Sequence, residues 1–333
     1  MNYKEIAIIK LSSLGDIVHT LPAFKILRER FPDSKIYWFA EPAGAELLKN
    51  FAGIDKIVIV NLKKGSFFKK LKEVFRILSK YRKKFDLILD FQGLLKSSIL
   101  SYLLKGERAG FHKRNLREPA SGIFYTKKAP FYPEENHVIL KNMNLLKTIE
   151  VIEDKIEYPH CKFEKNLLVD DFLKKNEISL NEYLIINVGG GWESKILSTI
   201  QYIKLAMMLS KKNKVIILWG NRDEEVRANE IVKSTGVYKT PFFDFPDLIY
   251  FIKKAKAVIS SDSLPLHIAD MTNTVSIGIF GPTSPYRNGS LKKGNLSIFK
   301  ELDCSFCYKR NCSNRACINN LELEPISLFI EKL

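Results

Sequence analysis

EIAIIKLSSLGDIVHTLPAFKILRER, residues 5–30, opens with branched apolar residues and closes on an amphipathic pattern. Glu5–Leu11 reads as a strand and Val18–Arg30 as a helix, so the stretch is the first step of a βαβ unit. The turn between them holds Ser12, Ser13, Gly15 and the acid Asp16. Two roles are open to that acid: it can cap the helix that follows, or it can face a ligand at the carboxyl end of a strand.

The same alternation runs outward from there. Strands are expected at Lys35–Ala40, Lys56–Asn61 and Phe85–Asp90, with helices at Ala43–Asn50, Phe68–Tyr81 and Lys96–Leu104. Short strands rich in Ile and Val suit a parallel sheet covered on both faces. Residues 105–136 are basic, carry three prolines and lack periodicity, as functional loops often do. A helix over Val138–Thr148 and a linker at Glu157–Lys165 close the first half. The second half restarts with strands at Tyr183–Val188, Lys214–Trp219, Ala257–Ser260 and Val275–Phe280. Helices are expected at Ile200–Lys211, Asp223–Ser234, Asp247–Lys254, Pro265–Met271 and, at the tail, Pro325–Leu333. The fold class is therefore α/β, two Rossmann-like halves with ligand loops facing a cleft.

A chain of 333 residues suits two domains, and 46% apolar content rules out a disordered chain. The N-terminal apolar run is too short and too charged for a signal peptide, and no window of about 18 uninterrupted apolar residues occurs. The expectation is a soluble cytoplasmic protein. A formal charge of +16, from 53 basic and 37 acidic residues, points to an anionic partner or simply to solubility. Nucleic acid is disfavoured as that partner, because no helix-turn-helix, zinc-finger or RNP pattern is present.

Four loops of the second half end strands. Gly189-Gly190-Gly191-Trp192-Glu193-Ser194-Lys195 can bring backbone amides and a lysine to an anion, or can be a plain glycine-rich turn. In WGNRDEE (219–225) a carboxylate can hold ribose hydroxyls or cap a helix. In SSDSLPLHIADM (260–271) Asp262 or Ser263 can cap a helix whose first amides favour an anion, with His267 in a structural role. GPTSP (281–285) is a tight turn with a hydroxyl. Together these loops favour a nucleotide diphosphate, and a carboxylate such as Asp16 beside a sugar nucleotide suits a general base for glycosyl transfer.

KLSSLGDIVHTLPA (10–23), FDLILDFQGLLKSSIL (85–100), REPASGIFY (117–125), LWGNRDEE (218–225) and IFGPTSP (279–285) resemble, in that order, the ADP-heptose:lipopolysaccharide heptosyltransferases of glycosyltransferase family 9. The first, second and third are more similar to heptosyltransferase I than to II. The resemblance implies a GT-B fold, with an acceptor domain over 1–165, an ADP-sugar domain over 166–321 and a helix at 322–333 crossing back to the first. It implies inverting transfer of L-glycero-D-manno-heptose from ADP-heptose to a Kdo of Kdo2-lipid A, by a monomer at the inner face of the inner membrane. No cofactor is implied for catalysis. Asp16 would be the general base, in a loop shaped by Ser12, Ser13 and Gly15. Lys195, Gly190 and Gly191 would serve the donor phosphates, Glu224 the ribose, and Asp262 the heptose, with Ser263, Leu264 and His267 beside it. Two positions depart from the family pattern: Leu264 replaces a glycine and Ser284 an aspartate. The alternatives are a relative with another acceptor or nucleotide sugar, and a sugar-nucleotide epimerase.

Basic residues of the first half then gain a use. Lys63, Lys64, Lys69, Lys70, Lys72 and Arg76, with Arg114 and Arg117, could meet the acceptor's anionic groups or an anionic membrane, with Phe67 and Phe68 entering the interface. An ordinary solvated helix is the competing reading. Finally, Cys304, Cys307, Cys312 and Cys317 follow a C-x2-C-x4-C-x4-C spacing, while Cys161 stands alone. Four thiolates suit a structural Zn²⁺ and an Fe–S cluster is an alternative; free thiols and disulfides stay open.

Overall fold

A computed structural model describes residues 3–61, 67–162 and 165–333. The chain forms two compact units, Met1–Lys162 and Phe163–Leu333. In the first, β1 (Glu5–Ile9), α1 (Leu14–Val18), α2 (Leu21–Arg30), β2 (Lys35–Ala40), α3 (Pro42–Leu48), β3 (Lys56–Ile59), α4 (Phe67–Tyr81), β4 (Leu87–Asp90), α5 (Leu95–Leu104), β5 (Glu107–Gly110), β6 (Lys127–Lys128) and α6 (Val138–Leu145) follow one another. The sheet order is β3-β2-β1-β4-β5-β6, every pair parallel. The second unit holds α7 (Leu167–Lys175), β7 (Tyr183–Asn187), α8 (Thr199–Ser210), β8 (Lys214–Leu218), α9 (Arg222–Thr235), β9 (Tyr238–Lys239), α10 (Phe245–Lys253), β10 (Ala257–Ser261), α11 (Leu264–Met271), β11 (Val275–Ile279), α12 (Pro285–Asn288), β12 (Leu296–Ile298), α13 (Ala316–Asn319) and α14 (Glu324–Ile330). Its order, β12-β11-β10-β7-β8-β9, is also all parallel and repeats the topology of the first. Both are Rossmann sheets, in which the order reverses beside the first strand of each unit, where ligand loops gather.

Burial explains the strands. β4, β7 and β10 are buried along their whole length, as central strands between two helical layers must be. The first core gathers Ala7, Ile9, Phe39, Val58, Ile88 and Leu104; the second gathers Leu184, Ile186, Leu205, Ile217, Ile259 and Ile277.

Several elements differ from the sequence reading. The helix expected over Val18–Arg30 is two helices, broken at His19–Thr20. Pro22 lies in the first turn of α2, where its missing N–H is harmless but ends any continuous helix from α1. Asn142 Nδ2 donates to the His19 carbonyl (2.9 Å) at this break. The segment 105–136 is not irregular throughout, for it supplies β5 and β6 at the sheet edge and two 3-10 turns, Lys113–Asn115 and Pro119–Phe124. α7, β9 and β12 lie outside the expected elements; the two strands are only two and three residues long. Residues 322–333 fall in the second unit, where Ile326 and Ile330 are buried in the core with Ile318, Leu321 and Leu323. Lys63 and Lys64 lie outside the described residues. Among the described residues no helix is long and apolar enough to cross a membrane.

Candidate active site

The first-unit site begins where β1 ends. Asp16 is the third residue of α1, half-buried, and its Oδ2 accepts from the backbone N–H of Ser13 (3.1 Å) and from Ser13 Oγ (2.9 Å). It therefore closes the first turn of its own helix, which fixes the carboxylate's direction. Thr20 Oγ1 donates to the Asp16 carbonyl (2.8 Å) at the other end of the helix. The residues before it are held from β4, which pairs with β1 in the register Ile9↔Asp90. Gln92 Oε1 accepts from the amides of Leu11 (2.9 Å) and Ser12 (3.0 Å). Gln92 is itself fixed by Asp90, whose Oδ1 accepts from the amides of Gln92 (2.9 Å) and Gly93 (3.1 Å). Tyr125 O–H donates to Asp90 Oδ2 (2.8 Å). Burial pushes the Asp90 carboxyl up, and the hydrogen bonds from Ser97, Tyr125, Gly93 and Gln92 oppose it.

Arg114 and Arg117 are exposed, and the Arg114 guanidinium sits 4.3 Å from the Phe131 ring centroid. Arg76 is engaged by α4 and by the end of β3: Nε meets Glu73 Oε2 at 2.8 Å and Nη2 donates to the Ile59 carbonyl (2.9 Å).

The second-unit site gathers the loops after β7, β8 and β10. Lys195 Nζ donates to Asp262 Oδ2 (2.8 Å) and to the Asp262 carbonyl (3.0 Å), with both side chains about nine-tenths buried. His267 Nε2 meets Asp262 Oδ1 at 3.2 Å, and Asn288 Nδ2 donates to Oδ2 (3.1 Å). Burial alone would raise the Asp262 carboxyl. The His267 hydrogen bond and the charges of Lys195 and His267 outweigh it and hold the group well below the usual carboxylate range. Asn187 Nδ2 reaches the Gly189 carbonyl (2.9 Å) and Ser263 Oγ (3.1 Å), and Ser261 Oγ donates to the same carbonyl (3.0 Å). Ser263 occupies the N-cap of α11 without a side-chain cap bond, its hydroxyl being turned to Asn187 and Ser260.

Two glycines of the loop that these bonds fix lie close against side chains. A Cβ at Gly189 would collide with the Glu224 carboxylate, and one at Gly190 would lie 2.7 Å from Ile196 Cγ2. A Cβ at Gly191 would meet nothing within 4 Å, so that side is open. The cap of α9 is Asn221, whose Oδ1 accepts from the Glu224 N–H (3.1 Å). Glu224 Oε2 accepts from the Gly220 N–H (2.8 Å) and lies against Gly189. The loops thus set a carboxylate, an open glycine edge and a buried lysine in sequence.

Residues 74–318 match the model of glycosyltransferase family 9 (heptosyltransferase). Lipopolysaccharide heptosyltransferase 1 of Campylobacter coli is 30% identical over 99% of this chain and 98% of its own length. The chain belongs to glycosyltransferase family 9. Its fold is that of the E. coli heptosyltransferase WaaC, seen with ADP (TM-score 0.78, 22% identity, 98% of this chain and 99% of that one) and with ADP-2-deoxy-2-fluoro heptose (TM-score 0.75, 20% identity, the same coverage).

In this glycosyltransferase the sequence reading missed Gln92, Asp90 and Tyr125, which fix the Asp16 loop, and Asn288, which holds Asp262. Gln92 lies within the quoted FQGLLKS stretch, but its bond to Leu11 spans 81 positions and leaves no local pattern. Cys304, Cys307, Cys312 and Cys317 form no disulfide; the first three are exposed and Cys317 is half-buried. Burial, then the charges of Cys304 and Cys307, push the Cys317 thiol up, so the thiols share a neighbourhood. Among the described residues no group of three or more His, Cys, Asp or Glu is arranged to hold a metal ion.

Proposed function

We propose that this glycosyltransferase moves L-glycero-D-manno-heptose from ADP-heptose to a Kdo of Kdo2-lipid A, with inversion at the anomeric carbon. The observation that carries the reading is the glycine edge Gly189–Gly191 set between Glu224 and the Lys195–Asp262 pair. The name of the Campylobacter coli relative and the ligands of WaaC support the heptosyl donor. In this reading Glu224 takes the ribose hydroxyls, and the diphosphate lies over Gly190 and Gly191 toward Lys195 and the amides of Ser263 and Leu264.

Transfer is a single displacement. Asp16 takes the proton of the acceptor hydroxyl, whose oxygen attacks the anomeric carbon on the face opposite the diphosphate. The bond from that carbon to the β-phosphate oxygen breaks, and its electron pair leaves with ADP. Lys195 neutralises the charge that develops there, so no metal is needed for departure. Kdo2-lipid A is membrane-anchored, which places the reaction at an anionic inner-membrane surface. The exposed Lys72 and Phe75 of α4 suit such a surface.

The test is ADP release from ADP-heptose, with and without Kdo2-lipid A and with excess EDTA, for wild type and Asp16→Ala. The expected result is acceptor-dependent, EDTA-resistant release that falls at least about a hundredfold in the variant. An active Asp16→Ala enzyme would make Asp16 a helix cap only. Release that requires an acceptor already carrying one heptose would move the reaction to the second heptose.

A further inference from the structure

The second unit carries a cationic residue beside the donor loops that the reading above leaves without a role. Between β12 and α13 the chain runs irregularly through the cysteine-bearing segment, which is tied to the donor loops by several bonds. Tyr308 N–H donates to the Pro282 carbonyl (2.8 Å). Ser194 Oγ, next to Lys195, donates to the Lys309 carbonyl (2.8 Å). The Arg315 guanidinium donates to the Ile196 carbonyl and faces Glu193 at 3.8 Å. The segment is therefore anchored on both sides of the turn that carries Lys195.

Arg310 lies between these anchors. Its Cζ is 5.1 Å from the centroid of the Trp192 ring, and Lys195 Nζ is 4.3 Å from the same centroid. Each cation is attracted to the ring, which holds both at the edge of the donor loops where an anion can meet them. Lys195 already has Asp262 as its counter-charge. Arg310 is exposed, and among the described residues no carboxylate pairs with it. A diphosphate entering over the open edge of Gly191 would thus meet one compensated and one uncompensated cation.

We propose that Arg310 is a donor-binding residue, a second cation for the diphosphate of the nucleotide, presented by the 308–315 segment over Trp192. This rests on the donor site proposed above. A guanidinium offers a planar fork of donors to phosphate oxygens, whereas Lys195 is a point charge, so the two are complementary.

Calorimetry on the full chain with ADP and with adenosine tests it, for wild type, Arg310→Ala and Arg310→Lys. Arg310→Ala should weaken ADP about tenfold and leave adenosine within about twofold, with Arg310→Lys recovering part of the loss. The variant's melting temperature without nucleotide should match wild type. Unchanged ADP binding in Arg310→Ala would overturn the role. So would equal weakening of ADP and adenosine, since that would mean a disturbed loop rather than a lost phosphate contact. A wild-type chain that binds no ADP would overturn the donor reading itself, and this proposal with it.

Discussion

Asp262 is buried with a lysine, a histidine and an asparagine all directed at one carboxylate. A buried ion of this kind is stable only because its partners are fixed, and removing one side leaves the other charge uncompensated. Asp262→Asn strands the Lys195 ammonium, so we expect a loss of about 3–5 kcal/mol at pH 7, read from urea melts. The pH dependence has a definite sign. The folded-state pKa of Asp262 is depressed, so its contribution is present above the unfolded value near 3.9 and is lost as pH falls toward the folded value. The gap between wild type and Asp262→Asn should be constant from pH 7 to about pH 5 and shrink progressively below about pH 4. A gap that persists unchanged at pH 3 would mean that the pair does not depend on the ionised carboxylate.

At the scale of elements, the turn after β1 is built by its neighbour β4 as much as by its own residues. Parallel pairing sets Ile9 opposite Asp90, which brings Gln92 level with the amides of Leu11 and Ser12. Gln92→Leu removes the acceptor of both amides, and small displacements of a reacting group are costly to rate. We expect acceptor-dependent turnover to fall ten- to a hundredfold, while ADP affinity, which the proposed donor site assigns to the other unit, stays within about twofold. Gln92→Glu keeps an acceptor oxygen and should retain more of the turnover. If both variants lose ADP binding and turnover together, Gln92 supports folding rather than the loop. These bonds also explain what the sequence disclosed. Strand-end loops such as Gly189–Lys195 and Ser260–Asp262 are legible because a hydrophobic run, a glycine and a polar residue follow one another within a few positions. Gln92, Tyr125 and Asn288 are not, because each acts on a partner 26 or more positions away. β5 and β6 were hidden for a different reason: ERAG and KK carry few branched residues and form only as edge additions to a sheet already assembled. The break before Pro22 was visible in principle, since a proline in the first turn of a helix marks a start.

For the whole molecule, the proposed function divides the labour between the two units by position in the chain. Every side chain assigned to the nucleotide loops proper, from Asn187 to Asn288, with Arg310 beyond them, lies within Phe163–Leu333. That unit has its own six-stranded sheet and its own core, completed by Ile326 and Ile330 of α14. A unit with a private core and a full sheet has the parts needed to fold alone. The fragment 163–333 should therefore melt cooperatively and bind ADP within about tenfold of the full chain, while 1–162 should bind none, as calorimetry on the two fragments would show. Removing residues 322–333 from the fragment should abolish its cooperative melt, because large apolar side chains leave the core, each deletion of that kind costing about 2–5 kcal/mol. A folded 163–333 fragment that binds ADP a hundredfold more weakly than the full chain would mean that residues before 163 contact the nucleotide. In that case Ser12, Ser13 and Gly15, which lie beside Asp16, would be the first positions to substitute in the full chain.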